Sequence, residues 1–527
     1  MAHTVLGGVI GLAWLMLPGM TVSGGGSVPL PVPVPAKPGG AVAVAPVAPP
    51  EQDETSPVDF VLPLVVVGAA GALAAYGYVR RTRRARTRTT PGGGVVSERP
   101  PEPSPAESER QARAALITAD DSVRTSREEL GFAQEQLGTT AVAPFERALR
   151  AAETELSAAF ALRLRYEQGA PADDVTRRQA LVGMVGRCAE AGRRLDAEAG
   201  RFDQLRDLER GLGEASAAAE ARFQNVAGRA TDAETTLTEL GEQYGSSAVA
   251  PVLGYVEQAK DRLRFASAEL DRAGQTADSE AVVRAVRHLR AAEGAVAQAD
   301  VFVSGVERLG RESSEAAALV PATLKDAEAG VAEARRRLTG PPQTDGPTAG
   351  KAARIPVGEL RARVARADVV LGAVREEVAG GAYAPLDVLR RVARVVEALG
   401  VGRAGAVPVA ARLVARSATG AAGDFVTTHR GAVGAGARTR LAEAERLLAG
   451  DEGEGTAAAD ELAREARELA ERDVRAHGNP YAGPAEHASG LAGAVLGGIL
   501  LAEEPDGGPP AGFGGPQTRG RLRLPEE

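Results

Sequence analysis

The chain has 527 residues and a formal net charge of −8; 44% of its residues are hydrophobic, yet only 3% are aromatic. An apolar complement of mainly alanine and valine suits slender helices packed side by side better than the core of a large globular enzyme. The negative charge argues against a general nucleic-acid binder. The single cysteine excludes an intramolecular disulfide and every multi-cysteine metal site.

Two apolar segments lie near the N-terminus. Val5–Met20 is followed by small residues, which predicts a signal peptide at residues 1–23, or an uncleaved anchor because no Arg or Lys precedes it. Residues 24–58 are then a Pro/Gly-rich extracytoplasmic linker. Phe60–Val79 has 20 residues without a charge. This is enough for a helix of roughly 30 Å, so residues 59–79 are predicted to cross the membrane.

A basic segment, residues 80–105, follows this apolar stretch. Its cluster of arginines consists of Arg80, Arg81, Arg83, Arg84, Arg86 and Arg88. Because basic residues are retained on the cytoplasmic side, the bulk of the chain is expected in the cytoplasm of a single-pass cell-membrane protein. A stop-transfer signal explains the cluster; contact with anionic lipid head groups is a compatible role, and DNA binding is disfavoured.

From residue 106 onward, apolar residues recur at alternating intervals of three and four. The spacing is clearest in residues 223–244, 252–273, 282–306 and 320–338, and it is the a/d pattern of a left-handed coiled coil. Short breaks between long amphipathic helices favour antiparallel neighbours over one continuous rod. The predicted breaks are Gly138, Gly169–Pro171, Gly245, Gly274, Gly310, Gly340–Pro342 and Gly380–Gly381.

An internal repeat accompanies these breaks. Glu135–Pro144 (EQLGTTAVAP) recurs 107 residues later as Glu242–Pro251 (EQYGSSAVAP), and Gly380–Pro385 is a weaker third copy. Glycine ends one helix, Ser or Thr is expected to cap the next, and proline tolerates only its first turn. The spacing predicts helical repeats of about 105 residues. A structural corner is favoured over a binding surface.

The predicted fold class is all-α: an N-terminal signal or anchor, one transmembrane helix, then a long antiparallel coiled-coil bundle. Helical repeats are predicted at 106–212 and 213–310, with a degenerate repeat at 311–400, C-terminal helices at 401–476 and a Gly/Pro-rich tail at 477–527. Two C-terminal helices are expected near Ala437–Leu448 and Thr456–Ala476. Gly490–Ala502 is apolar but too short to span a bilayer, and the tail after Glu503 is expected to be disordered.

Few side chains suggest chemistry, and the sequence contains no HExxH, GxxxxGK[ST], GxSxG or DxDxDG motif. Cys188 falls in step with a helix seam and is expected to be a buried core residue. His288 lies off the seam and is expected on a solvated face. Around His429, glycines beside Arg430 could cradle a phosphate, but a loop between helices is favoured. Glu333 and Arg337 are expected to form an exposed i,i+4 pair.

Several segments carry a resemblance. The most distinctive is Asp424–Leu448 (DFVTTHRGAVGAGARTRLAEAERLL); the others are Gly245–Leu270, Ala476–Gly483, Gly493–Leu501 and Phe513–Arg521. From Ser216 onward the chain resembles the C-terminal part of bacterial TPM-domain-containing membrane proteins. The resemblance implies a signal peptide, an extracytoplasmic TPM domain, one transmembrane helix and a long helical region. Residues 24–58 are too few for a TPM domain, so the metal binding or phosphatase activity credited to that domain is not transferred.

The functional expectation is a membrane-anchored scaffold or tether that binds unidentified partner proteins through helix faces. The alternative is a transmembrane regulatory partner of a cell-envelope enzyme or of TPM-type proteins. No catalytic, cofactor-binding or metal-binding residue is assigned, no cofactor is expected, and no nucleic acid is expected as a partner. Membrane lipids are expected to contact the arginine cluster. A homo-oligomer is left open, because a seam buried within one chain and a seam shared between chains have the same spacing.

Overall fold

The computed structural model describes residues 103–169, 173–277, 281–339, 355–400, 404–450, 455–477 and 512–522. Regular structure within these ranges is entirely helical, which confirms the all-α prediction. The helices are α1 (Pro105–Leu137), α2 (Thr139–Gln168), α3 (Asp174–Arg206), α4 (Leu212–Tyr244), α5 (Ser246–Val249), α6 (Tyr255–Ala277), α7 (Val282–Thr339), α8 (Val357–Ala379), α9 (Pro385–Ala398), α10 (Ala406–Thr428), α11 (Ala435–Leu448), α12 (Thr456–Ala476) and α13 (Pro516–Leu522).

The predicted signal, linker, transmembrane segment and arginine cluster lie outside the described residues, as does Gly490–Ala502. Among the helices that the structure does describe, none combines the length and the apolar character needed to cross a bilayer.

Helices α1, α2 and α3 form a first unit. Glu109 and Arg127 of α1 contact Arg163 and Glu153 of α2, at 3.5 and 2.7 Å respectively, so α1 and α2 are antiparallel. Helix α3 packs along both. Apolar side chains fill the space between them; the largest include Leu116, Phe145, Leu156, Leu195 and Phe202.

Helices α4, α6 and the first half of α7 form a second unit. Arg262 of α6 donates a hydrogen bond to Gln298 of α7 at 3.0 Å, and His288 of α7 contacts Glu269 of α6 at 2.7 Å, so α6 and α7 are antiparallel. Most of the core of this unit consists of residues from the predicted seams. It includes Val226, Ala230, Ala233, Val256, Ala259, Leu263, Val296, Ala299 and Val303.

Helix α7 connects the second unit to the C-terminal helices. It has 58 residues, which is roughly 87 Å at about 1.5 Å per residue. Its second half packs with α8, α9 and α10. Helices α11 and α12 confirm the two predicted C-terminal helices. Both pack on α10, and α11 also reaches α1 and α2.

The two full copies of the repeated motif have the same corner. Gly138 has φ 83° and ψ 163°, and Gly245 has φ 84° and ψ 166°. This region of backbone space favours glycine. The predicted Ser/Thr caps are wrong, because no side chain caps the helices that follow. Thr139 and Ser246 already belong to the first helical turn, so the glycine itself occupies the capping position.

Two predicted breaks are wrong. Helix α6 continues through Gly274, and α7 continues through Gly310, so the predicted boundary between residues 310 and 311 lies inside a helix. A Cβ added at Gly310 would lie 3.1 Å from Cγ2 of Thr236 in α4. Glycine therefore permits close helix packing at this position instead of ending a helix. At Gly274 no such neighbour lies within 4 Å, and the helix tolerates glycine at a cost of about 1 kcal/mol.

The expected disorder of the tail is wrong for residues 512–522. This segment packs on α1 and α3 and ends in α13. Phe513 is fully buried, with its ring against those of Phe145 and Phe202. The Gly/Pro-rich composition indicates a segment without a core of its own, whereas Phe513 and the hydrogen bonds of the residues after it dock the segment on another unit.

Candidate functional site: an arginine-lined cleft

A cleft of about 600 Å³ lies where the α5–α6 connection, α7, α9, α10 and α12 meet. Five arginines line it: Arg308, Arg390, Arg391, Arg464 and Arg467. The acidic lining residues are Glu312, Glu377 and Asp387. Between the charges lies an apolar surface of small side chains, including Ala248, Ala418, Ala421, Ala422 and Ala463. The lining residues therefore combine an excess of two positive charges, five arginines against three acids (the wall), with small apolar side chains (the floor), and Arg390 also pairs with Asp460 at 3.1 Å.

The second and third copies of the repeated motif form one side of this cleft. Ser247 and Pro251 come from the second copy, and Ala384 and Pro385 come from the third. The copies lie close together, because a Cβ added at Gly245 would be 3.9 Å from Cβ of Ala382. The motif is thus a structural corner, as favoured from the sequence, and two of its copies also line a cavity.

One of the lining arginines, Arg308 of α7, pairs with Asp424 of α10. Burial raises the pKa of Asp424, and the hydrogen bond from Arg308 opposes that rise. Glycines seat this pair. A Cβ added at Gly305 would lie 2.9 Å from Oδ2 of Asp424, and one added at Gly420 would lie 2.8 Å from Nε of Arg308. Larger residues at these positions would displace the pair.

Arg467 of α12 is held from several sides. Its guanidinium lies over the ring of Phe425, 4.1 Å from the centroid, and Nε donates to Glu471 at 2.6 Å. Nη1 donates to the carbonyl of Ala421 at 3.3 Å and to the Tyr255 hydroxyl at 3.5 Å. Burial raises the pKa of Tyr255. Arg467 is therefore a fixed part of the wall.

The arginines at the rim are less restrained. Arg464 of α12 has a side chain that is 42% exposed, and its nearest carboxylate, Glu468, is 4.0 Å away. Arg391 contacts Asp387 at 3.1 Å and also Glu377, and its side chain is 34% exposed. Because exposed pairs are weak, a bound carboxylate could replace these partners at little cost.

The cleft has the properties of a binding site for a partly apolar, acidic ligand. Arginine provides bidentate contacts to carboxylates, and the small floor residues leave room for apolar side chains. Within the described part of the chain, no group of three His, Cys, Asp or Glu side chains could hold a metal ion.

The structure confirms the prediction for Cys188 and contradicts the prediction for His288. Cys188 is 3% exposed, which confirms it as a core residue, and burial raises the pKa of its thiol to about 12. The solvated-face prediction for His288 is wrong. The His288 ring contacts Glu269 of α6 at 2.7 Å, and the Glu269 side chain is fully buried.

The segment around His429 is the loop between α10 and α11, as favoured. The His429 ring stacks on Phe425 with 4.2 Å between centroids, and burial lowers its pKa. Arg430, the residue considered for phosphate contact, instead pairs with Glu128 of α1 at 2.7 Å. The expected surface pair of Glu333 and Arg337 is confirmed, at 3.1 Å.

Two buried charge clusters were not predicted from the sequence. Arg438 of α11 is fully buried and donates to Asp120 and Asp121 of α1, each at 2.6 Å. Its remaining groups donate to the carbonyls of Val433 and Arg430. In a second cluster, Arg206 of α3 lies between Glu293 of α7, at 2.7 Å, and Glu129 of α1, at 3.9 Å. Arginine occurs on all of the longer helices, so no local pattern distinguishes these residues.

The chain is similar to two curated proteins of Mycobacterium tuberculosis, UPF0603 protein MT2410 of strain CDC 1551 and UPF0603 protein Rv2345 of strain H37Rv. Each is 30% identical to it over 429 residues, which is 77% of this chain and 63% of the relative. The chain thus spans less than two thirds of the length of these relatives. No protein-family model and no solved structure matches it.

Proposed function

We propose that this chain is a single-pass cell-membrane protein whose cytoplasmic helical region is a non-catalytic scaffold for partner proteins. The arginine-lined cleft carries the proposal, because its charges and floor fit an acidic, partly apolar segment of a partner. The membrane assignment is supported by the uncharged stretch Phe60–Val79 and the arginines that follow it. Kinship with TPM-domain-containing membrane proteins belongs to the same proposal.

In this proposal the arginines of the wall and the arginines of the rim have different roles. Arg308 and Arg467, each fixed by the contacts described above, maintain the shape of the wall. Arg464 and Arg391, at the rim, exchange weak partners for carboxylates of the bound segment. Charge then selects the partner, and burial of apolar side chains on the alanine floor provides most of the binding free energy.

Site-specific photo-crosslinking in cells tests the cleft. A photoreactive amino acid replaces Ala418 on the floor, and a control replaces Val369, which is 72% exposed on α8. We expect Ala418 alone to capture an acidic protein, and Arg464→Glu to abolish the adduct. Arg475→Glu is the matched control, since Arg475 lies on the same helix and its side chain is 70% exposed. An adduct that forms equally at Val369, or that survives Arg464→Glu, would contradict the proposal.

The membrane topology needs a separate test. Cys188→Ser removes the only cysteine, and Gln343→Cys places a single thiol in a Gly/Pro-rich stretch of the helical region. Intact cells are treated with a membrane-impermeant maleimide. Labelling that appears only after lysis supports a cytoplasmic helical region, and labelling of intact cells would place it outside the membrane.

A further inference from the structure

The C-terminal segment Gly512–Arg519 lies in a groove between α1 and α3 as a short linear ligand would. Phe513 is its anchor: the ring stacks on Phe202 with 4.7 Å between centroids and meets the edge of Phe145 at 5.8 Å. The ring is fully buried. A single aromatic side chain inserted in a preformed aromatic pocket is a frequent anchor in peptide recognition.

One carboxylate of the groove accepts hydrogen bonds from the backbone N–H groups that follow Phe513. Oδ1 of Asp196, on α3, accepts hydrogen bonds from the backbone N–H of Gly515 at 2.9 Å and of Thr518 at 3.0 Å. It also accepts from the Thr518 hydroxyl at 2.6 Å, and Oδ2 accepts from the N–H of Gln517 at 3.3 Å. A residue of one helix therefore caps α13 in the way that an N-cap residue normally caps its own helix.

Close backbone contact makes the groove selective for glycine. A Cβ added at Gly515 would lie 2.3 Å from the carbonyl oxygen of Gly192 in α3. Conversely, a Cβ added at Gly192 would lie 2.6 Å from Cδ of Pro516. Gly514, with φ 150°, donates its N–H to the Ser126 hydroxyl at 3.1 Å. The groove therefore recognises, in order along the segment, an aromatic residue, two glycines, a proline and a threonine.

The recognised segment is contained in a few consecutive residues, and residues 477–511 lie between it and α12. A chain of 35 residues spans at most roughly 115 Å at about 3.3 Å per residue, which is more than the length of α7. The number of connecting residues therefore does not restrict the segment to the groove of its own copy. A tethered ligand of this kind competes with an identical one supplied by a neighbour.

We propose that the α1–α3 groove is a peptide-binding site for the segment Phe513–Thr518 (FGGPQT), and that the tail of a second copy of this chain can occupy it. Exchange of tails then links neighbouring copies without any change in the helical units. This surface is distinct from the arginine-lined cleft, so the inference does not depend on the function proposed for the cleft.

A cleavable full-length chain tests recognition. A protease site inserted after Asp506 releases the tail segment from the folded protein, and circular dichroism checks that the helices persist. A fluorescent peptide of residues 510–523 is then added, and its anisotropy is measured. We expect saturable binding that displaces the released fragment, and roughly tenfold or more weaker binding of the Gly515→Ala peptide. A Gln517→Ala peptide is the matched control, because Gln517 is exposed. No binding, or equal binding of the Gly515→Ala peptide, would overturn the inference.

Complementation between two full-length variants tests occupation by a second copy. Asp196→Asn weakens the groove but leaves its tail intact, and Phe513→Ala weakens the tail but leaves its groove intact. Mixed in detergent, the two variants should associate through one tail and one groove, and light scattering should show a dimer that neither forms alone. Glu198→Gln, on the same helix as Asp196, replaces the groove variant as a control and should give less of this mixed dimer. Absence of a mixed dimer would overturn exchange between copies.

Discussion

The first and second helical units contain the same motif and diverge just beyond it. After the Gly138 corner, α2 runs without interruption through Pro144. After the Gly245 corner, the chain forms only the short α5 and a 3-10 turn, and then turns at Gly254, with φ 83°, before α6 begins. Aligned on their prolines, the copies place Gly254 where the first copy has Arg147. A residue that favours the left-handed region thus replaces one that favours a helix.

This divergence gives the units different surfaces. In the first unit the aromatic rings of Phe145 and Phe202 are covered by the tail. In the second unit the interrupted helix leaves Leu253 75% exposed and turns the corner toward the arginine-lined cleft. The same corner therefore occurs in a unit whose aromatic rings are covered by the tail and in a unit that borders the arginine-lined cleft. The residues after the corner determine which of the two arrangements forms.

The largest expected difference between the units concerns their arginine pairs. Arg438, which ties α11 to the first unit, is fully buried, whereas Arg229 of the second unit has a side chain that is 30% exposed. Arg438→Met removes one of the two arginines that pair with the buried Asp120, together with the bonds of Arg438 to Asp121 and to two backbone carbonyls, and should lower the free energy of unfolding by about 3–5 kcal/mol. Arg229→Met removes a partly exposed network with Asp300 and Glu307, and should cost about 1–2 kcal/mol. Urea unfolding followed by circular dichroism measures both, and equal losses would contradict the distinction.

The junction between the units should depend on pH. Burial raises the pKa of Glu293 to about 7, Arg206 opposes this, and the nearby Glu129 adds to it. The folded state then holds a proton that the unfolded chain releases near pH 4.5. The contribution of this group to stability is therefore complete below about pH 4.5, and is lost, on the order of 3 kcal/mol, as pH rises to about 7.

Glu293→Gln isolates that contribution. The free energy of unfolding of the wild type minus that of the variant should fall between pH 4.5 and 7, since glutamine does not titrate. Glu333→Gln, on the exposed part of the same helix, should not reproduce this fall. If the difference between wild type and Glu293→Gln is constant over this interval, Glu293 is ionised throughout and the junction does not titrate.

Exchanging the residues at the point of divergence gives a smaller effect. Gly254→Ala forces an L residue to φ 83° and should cost about 1–2 kcal/mol. Arg147→Gly, at the matching position inside α2, should cost about 1 kcal/mol through helix propensity alone. Both positions are exposed, so packing changes little. Thermal unfolding compares them, and a neutral Gly254→Ala would mean that the second corner can adopt the continuous helix of the first.

Burial along the helices was predictable because it depends on local periodicity. Seam residues such as Ala259 and Leu289 are fully buried at the positions that their spacing predicts. Any helix that hides one face must repeat apolar residues at those intervals, whatever its partner is. The same periodicity predicts Cys188 as a core residue and Glu333 and Arg337 as an exposed pair, and both predictions are confirmed.

Pairings between distant residues were not predictable. Arg438 meets Asp120 across 318 residues, and Asp196 meets Thr518 across 322. The sequence around Arg438 and around Asp196 does not differ from the sequence around the many arginines and aspartates on the surface. Glycine is similarly ambiguous: Gly138 ends a helix, whereas Gly310 lets two helices approach, and only the tertiary neighbour decides which. In both cases the deciding contact joins residues that are far apart in the sequence and meet only in the folded chain.

Two glycines, one in each unit, lie inside helices and differ in their surroundings. Gly274 of α6 has open space around it, so Gly274→Ala should stabilise the protein by about 0.5–1 kcal/mol. Gly192→Ala gains the same helix propensity but places its Cβ 2.6 Å from Cδ of Pro516. We expect it to release the tail, with little or no gain in melting temperature and faster proteolysis near Phe513. If Gly192→Ala stabilises as much as Gly274→Ala and leaves the tail protected, close contact at Gly192 does not hold the tail in place.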